Sequence, residues 1–211
     1  MKKIYLLLLV PMLCFFFADS IFAEDIAQAT KKKAAEVQAL KLGFGNYILG
    51  QELNDEQKKF AAQHPLPVAE SKNWTYKFQD GNIFVVADKK TNLILGIYKE
   101  QEKASRLDVK IMVGDLMMNF AEPTLMAHDQ MIYWAYDKKG KISQKLFMIA
   151  RETGDLETLA TVKFSSTEPI FREVKKSDKV GETIKAEEKT ADIYVIITSG
   201  PLSSFFIAQN K

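Results

Sequence analysis

Cysteine is almost absent. Cys14 is the only one in 211 residues, and it lies inside the N-terminal apolar run. The rest of the chain therefore offers neither a disulfide nor a thiol nucleophile, and its stability has to come from a packed core. Histidine is nearly as scarce: His64 and His128 are the only two. Neither has a second ligand type at metal-site spacing, whereas a zinc site takes three or four protein ligands. Excess charge of one sign is missing too, with Lys+Arg 29 against Asp+Glu 27. That balance excludes the basic surface expected of a nucleic-acid-binding protein. Beyond the first residues no hydrophobic run approaches the roughly 20 residues that cross a bilayer. The mature chain is thus expected to have no integral membrane span, and no residue pattern in it calls for a cofactor.

The one long apolar run has a specific grammar. Lys2 and Lys3 precede Ile4–Phe17, an apolar stretch interrupted by Pro11, and Ile21-Phe22-Ala23 offers a small residue for cleavage. This is the pattern of a secretory signal peptide over residues 1–23, with an uncleaved N-terminal anchor as the rival reading. Met12-Leu13 ahead of Cys14 do not form a lipid-attachment site. The expected location is periplasmic or secreted.

Residues 24–43 are rich in Ala, Lys, Gln and Glu, with apolar residues at helical spacing. They predict an amphipathic helix or arm, packed on the domain or held for a partner. Gly43-Phe44-Gly45 lacks the Lys-Ser/Thr of a phosphate loop and reads as helix-end and turn residues. Asn54 with Asp55 and Glu56 opens a helix that runs to Gln63 and ends before Pro65. Trp74 to Tyr98 alternates as a three-stranded meander turning at Asp80-Gly81-Asn82 and Asp88–Asn92. Glu100–Arg106 reads as a charged connector, Val109–Phe120 as a helix, and Met131–Ala150 as a hairpin turning at Asp137–Gly140. Leu156–Phe164 and Ile170–Val174 are expected strands, with Lys175–Asp192 a lysine- and glutamate-rich polar loop or extension. Ile193–Thr198 and Ser203–Ala208 are expected to form a last hairpin around Gly200-Pro201.

A shift of 49 residues superposes part of the chain on itself: Asp80 on Asp129, Ile83 on Ile132, Phe84 on Tyr133, and Asp88-Lys89-Lys90 on Asp137-Lys138-Lys139. Periods of this length usually report duplicated supersecondary units, the rival reading being coincidence, since Asp-Lys-Lys is a common hairpin turn. The expected fold class is α+β, with two tandem helix-plus-antiparallel-sheet units over residues 44–106 and 107–211 and the helices packed on one face of the sheet.

The residues Gly114, Phe120, Pro123 and Tyr133-Trp134-Ala135-Tyr136 carry a resemblance. They look like the SmpA/OmlA (BamE-like) family, in which a glycine opens a helix, an apolar residue and a proline close it, and a Trp-x-Tyr strand follows. Tyr47–Gly50, Phe60, Pro65 and Trp74-Thr75-Tyr76 form a looser copy. Two such units in tandem resemble the β-lactamase-inhibitor-protein architecture. The lipid-attachment cysteine of the outer-membrane assembly members has no counterpart, and Glu122 stands where a glycine usually precedes the proline. The resemblance therefore implies a non-catalytic module whose partner is a protein or the cell envelope.

No catalytic group is expected. Ser143, His128 and Asp129 lack a nucleophile elbow. Asp88 and Asp137 sit in lysine-bearing turns that oppose a cation, and are expected to cap those turns. The candidate binding residues are the strand aromatics Trp74, Tyr76, Tyr133, Trp134 and Tyr136, each either core or part of an anchoring sheet face. The methionine-rich helix (Met112, Met117, Met118) is adaptable core, or one wall of a groove for a small apolar ligand.

Overall fold

Four helices start on the same device. Asn54, Ser105, Ser143 and Ser199 each turn a side-chain oxygen back onto a backbone N–H of the first turn, at 2.9, 3.2, 3.4 and 3.1 Å. Each cap satisfies a donor that the helix itself leaves unpaired. They open α2 (Asp55–Gln63), α3 (Arg106–Phe120), α4 (Gln144–Thr153) and α5 (Gly200–Gln209). In α3 the return bond is charged: Asp108 accepts from both the backbone N–H and the hydroxyl of Ser105, which holds its carboxyl below the ordinary range. The computed structural model describes residues 28–171 and 190–210, and residues 28–38 form α1. None of the described helices is long and apolar enough to cross a membrane.

The strands are β1 (Gly43–Phe44), β2 (Tyr47–Ile48), β3 (Pro65–Leu66), β4 (Thr75–Asp80), β5 (Ile83–Asp88), β6 (Ile94–Ala104), β7 (Leu125–Ala127), β8 (Met131–Asp137), β9 (Gly140–Lys141), β10 (Ala160–Ser166) and β11 (Ala191–Thr198). β1 and β2 form a small hairpin of their own. The others make one sheet in the order β3-β4-β5-β6-β11-β10-β8-β7, with β9 attached to β8. Every pairing is antiparallel. The fold is α+β, as the sequence predicts.

β11 is the seam. It bonds to β6 on one side and β10 on the other, and its inward residues Ile193, Val195 and Ile197 are at most 1% exposed. Alternation along each strand sorts the side chains between two faces. Phe78, Val85, Ile97, Ile132, Trp134, Val162 and Phe164 share the inner face with those β11 residues. The inner face packs with Val37 of α1, Ala61 of α2, Val109, Val113 and Leu116 of α3, and Leu202 and Phe206 of α5.

Several expectations are corrected. Gln144–Ala150 is helix rather than the second arm of a hairpin, because Ser143 caps a run that includes the helix formers Gln144, Lys145, Leu146, Met148 and Ala150, and Gly154 closes it at φ +79. β9 is all that remains of that arm. α4 also departs from the expected single helical face: Phe147 packs with Ala135 and Tyr133, on the side of the sheet opposite Trp134. Ser203–Ala208 is likewise helical, since Pro201 in a first turn is tolerated and Ser199 caps it. Glu100–Ala104 is not a connector but the far end of β6, paired to β11 across a bulge where the Lys103 N–H donates to the Asp192 carboxylate. Ile170 and Phe171 lie in a turn. The remainder of the expected Ile170–Val174 strand, and most of the Lys175–Asp192 loop, fall outside the described residues, as does the signal peptide.

The 49-residue shift maps β5 onto β8, but the structure does not establish two repeated units. Asp88 and Asp137 do the same work at their ends, accepting from the N–H of Lys90 and Lys139, respectively. The preceding turns differ: Asp80 pairs with Ile83 at a strand end, whereas Asp129 sits in a turn at φ 52.

Alternation in β11 gives a direct test. Ile197→Ala removes a fully buried side chain and is expected to lower stability by about 2–5 kcal/mol. Ile196→Ala, one residue away on the opposite face, is expected to cost about 1 kcal/mol or less. Urea denaturation of the two variants checks the difference.

Candidate functional site

The outer face of the sheet is laid out by strand register. One row runs Tyr133, Lys163, Ile196, Tyr98, Phe84, Gln79 across β8, β10, β11, β6, β5 and β4. From Tyr133 to Phe84 it spans roughly 19 Å at the usual strand spacing. A second row places Met131, Ser165, Tyr194 and Glu100 beside it. α4 covers this face at the β8 end, where Phe147 meets Tyr133 edge-on with ring centroids 6.1 Å apart. Tyr194 and Ile196, in the middle of the sheet, remain 37% and 36% exposed.

The part of the row on β5 and β6 is preorganised. The rings of Phe84 and Tyr98 stack with centroids 4.5 Å apart and an interplanar angle of 5°. The Lys77 ammonium lies over both, 5.5 and 5.3 Å from the two centroids. A cation held against ring faces keeps a positive charge at the edge of an apolar patch without an acidic partner. Aromatic anchors flanked by Lys77, Lys163 and Glu100 form a surface of apolar centre and charged rim.

Of the five aromatics expected at a binding surface, only Tyr133 is on this face. Burial pushes its hydroxyl pKa up, against the opposing pull of the Thr161 hydrogen bond. Trp134 is completely buried; its indole N–H donates to the Ala121 carbonyl at 2.9 Å, and its ring lies 6.1 Å from that of Phe120. Tyr136 is 7% exposed, and burial pushes its pKa up to about 12. Trp74 stacks on Phe206 at 6.3 Å. Tyr76 stacks on Phe78 and donates its hydroxyl to the Asn92 side chain at 2.9 Å. These four rings belong to the inner face or its border, so the anchoring role passes to Tyr194 and Ile196, with Tyr98 beside them and Phe84, itself buried, stacked on Tyr98. Phe84 and Tyr98 were visible as strand residues. Which face they take depends on register, and β5 and β11 are apolar on both sides.

A concavity of about 510 Å3 lies where α3, β7 and the start of α4 meet, walled by Met117, Pro123, Leu125, Met126 and Ile142 together with the polar residues Glu122, Thr124, Lys141, Ser143 and Gln144. Thr124 ties its floor together. Its buried hydroxyl donates to the Ile142 carbonyl at 2.7 Å and accepts from the Ala135 N–H at 3.0 Å, bridging the gap between β7 and β9 along β8.

The polar candidates do not converge. His64 closes α2, stacked on Phe60, ahead of the edge strand β3, while His128 follows β7 at the opposite edge of the sheet. Ser143 is spent capping α4, and Asp129 sits in the β7–β8 turn, where its carbonyl accepts from the Ile170 N–H. Among the described residues no group of three His, Cys, Asp or Glu is placed to hold a metal ion. Gly43 and Gly45 belong to the β1–β2 hairpin, and a Cβ on Gly43 would strike the Tyr47 carbonyl. Comparison with known protein families, curated proteins and solved structures finds no match to this chain.

Two outcomes follow. Thr124→Val leaves a buried N–H and C=O without partners and is expected to cost about 1–3 kcal/mol, measured by denaturant unfolding. Tyr136 titrates near 12 when folded but near 10 in the unfolded chain. The stability linked to it is therefore fully present below pH 10 and lost as pH rises towards 12. Unfolding free energy is expected to fall through that window, less steeply in Tyr136→Phe.

Proposed function

We propose that this protein is an exported, non-catalytic interaction module that binds a protein partner of the cell envelope through the outer face of its sheet. The observation that carries the reading is the open patch around Tyr194 and Ile196, continuous with the stacked Phe84–Tyr98 pair. Rigid aromatic groups with two rotatable side-chain bonds lose little entropy on binding, which is why they serve as anchors. The signal-peptide grammar of residues 1–23 supports the periplasmic or secreted location, and the resemblance to SmpA/OmlA proteins supports a binding rather than a catalytic role.

The 510 Å3 groove favours a second reading, a carrier or sensor for a small apolar ligand. Its volume is in the range of small-molecule sites. It lies at the end of α3, not between helices and sheet, where packed side chains fill the space.

A double variant, Tyr194→Ser with Ile196→Ser, separates the two. The interaction reading expects it to lose cross-linked capture of a partner from envelope extract by about tenfold or more, with its thermal melt close to that of the parent. Undiminished capture would sink that reading. A small-molecule adduct seen by native mass spectrometry, lost in Met117→Asp, would establish the carrier instead.

A further inference from the structure

Helix α3 has two apolar faces. Val109, Val113, Leu116 and Phe120 point into the core, while Leu107, Ile111 and Met118 point directly away from it and are 65%, 54% and 87% exposed. Gly114 completes the outward stripe. A Cβ there would meet nothing within 4 Å, so the protein's own packing does not require a glycine in mid-helix, a position where it weakens the helix relative to alanine. The spacing is 4, 3 and 4 residues, the seam of a heptad repeat with Leu107 and Gly114 at d and Ile111 and Met118 at a. The four core-facing residues then fall at c and f.

We infer that this outward stripe pairs with the same stripe of a second copy of the chain, the two α3 helices running parallel about a two-fold axis. Charge selects both the partner and the direction. In the same frame Lys110 stands at g and Asp115 at e, both exposed. A parallel pair sets each g residue beside the e residue five positions on in its partner, so Lys110 of one copy meets Asp115 of the other, twice. An antiparallel pair would instead set Lys110 against Lys110 and Asp115 against Asp115 or Asp108. An isologous contact must be self-complementary, and the parallel arrangement is. Asp115 also interacts electrostatically with Lys99 on β6.

Gly114 lets the two backbones approach, with Ile111 and Met118 closing over it from either side. Three large side chains per copy bury less than the roughly 800 Å2 per partner of a stable interface. The association is therefore weak, with a dissociation constant on the order of 10–1000 µM. Because α3 belongs to the inner-face helix layer, pairing through its far side leaves both outer sheet faces uncovered. The dimer presents two of them and binds a repeated partner with added avidity. The pairing itself stands on the α3 surface alone and does not depend on what the sheet binds.

Sedimentation equilibrium of the purified protein over a range of concentrations tests this. The parent chain is expected to self-associate, and Met118→Asp to weaken association about tenfold or more. Lys110→Glu and Asp115→Lys each create two like-charge contacts and are expected to weaken it about three- to tenfold. An equimolar mixture of those two variants restores both attractions and is expected to associate like the parent. A parent that stays monomeric up to about 1 mM, or a Met118→Asp variant that associates unchanged, overturns the proposal. So does a mixture no better than its components, which would exclude the parallel geometry. Melting curves of each variant at low concentration confirm that the comparison is between folded chains.

Discussion

Strand alternation is the constraint on which the rest of this structure depends. A single antiparallel sheet has two faces, and each residue along a strand is assigned to one of them by register alone. Here β11 sets that register for both halves of the sheet at once, because β6 and β10 both pair with it. With Ile193, Val195 and Ile197 turned inward, Tyr194 and Ile196 have nowhere to go but outward. The buried seam and the exposed patch are two outcomes of one hydrogen-bond register.

The inner face is sealed with little polar content. Ser199 is one of the few polar side chains fully inside, and it has two tasks: its hydroxyl donates to the Leu159 carbonyl at 2.6 Å and accepts from the Leu202 N–H. Trp134 and Thr124 are likewise fastened to backbone groups. Each such fastening joins segments distant in sequence, and no buried side-chain nitrogen or oxygen among the described residues is left without a partner. That economy suits a chain whose only cysteine lies in the N-terminal apolar run.

Much of the architecture was legible in the sequence. Asn54, the Asp88 turn, the meander that follows Trp74 and helix α3 all announce themselves through local chemistry: a cap, an Asx turn, a clean period. What was misread has a common cause. Gln144–Ala150 and Ser203–Ala208 are short apolar runs whose composition suits helix or strand, and a capping serine a few residues upstream decides between them. The site was harder still. Trp134 and Tyr133 are neighbours in sequence, yet one lies in the inner core and the other on the opposite face, half-buried under α4. Nothing local to the Tyr133-Trp134-Ala135-Tyr136 stretch says which, because its partner β10 is set by the whole sheet. β11 is apolar on both faces, so Tyr194 and Ile196 gave no sign of being exposed.

The position of β11 in the chain also governs the order in which the protein can be assembled. The bond from Lys103 to Asp192 closes a separation of 89 residues, and the strand that makes it follows every other strand in the chain. Until it arrives, the meander and the β8–β10 pair are separate sheets, each ending in an unpaired edge at β6 and β10. Long-range closure of this kind is slow, and open edges recruit other chains. A partly synthesised chain therefore carries both open edges until β11 is made, and its exposure to other chains lasts as long as those edges wait for a single eight-residue strand.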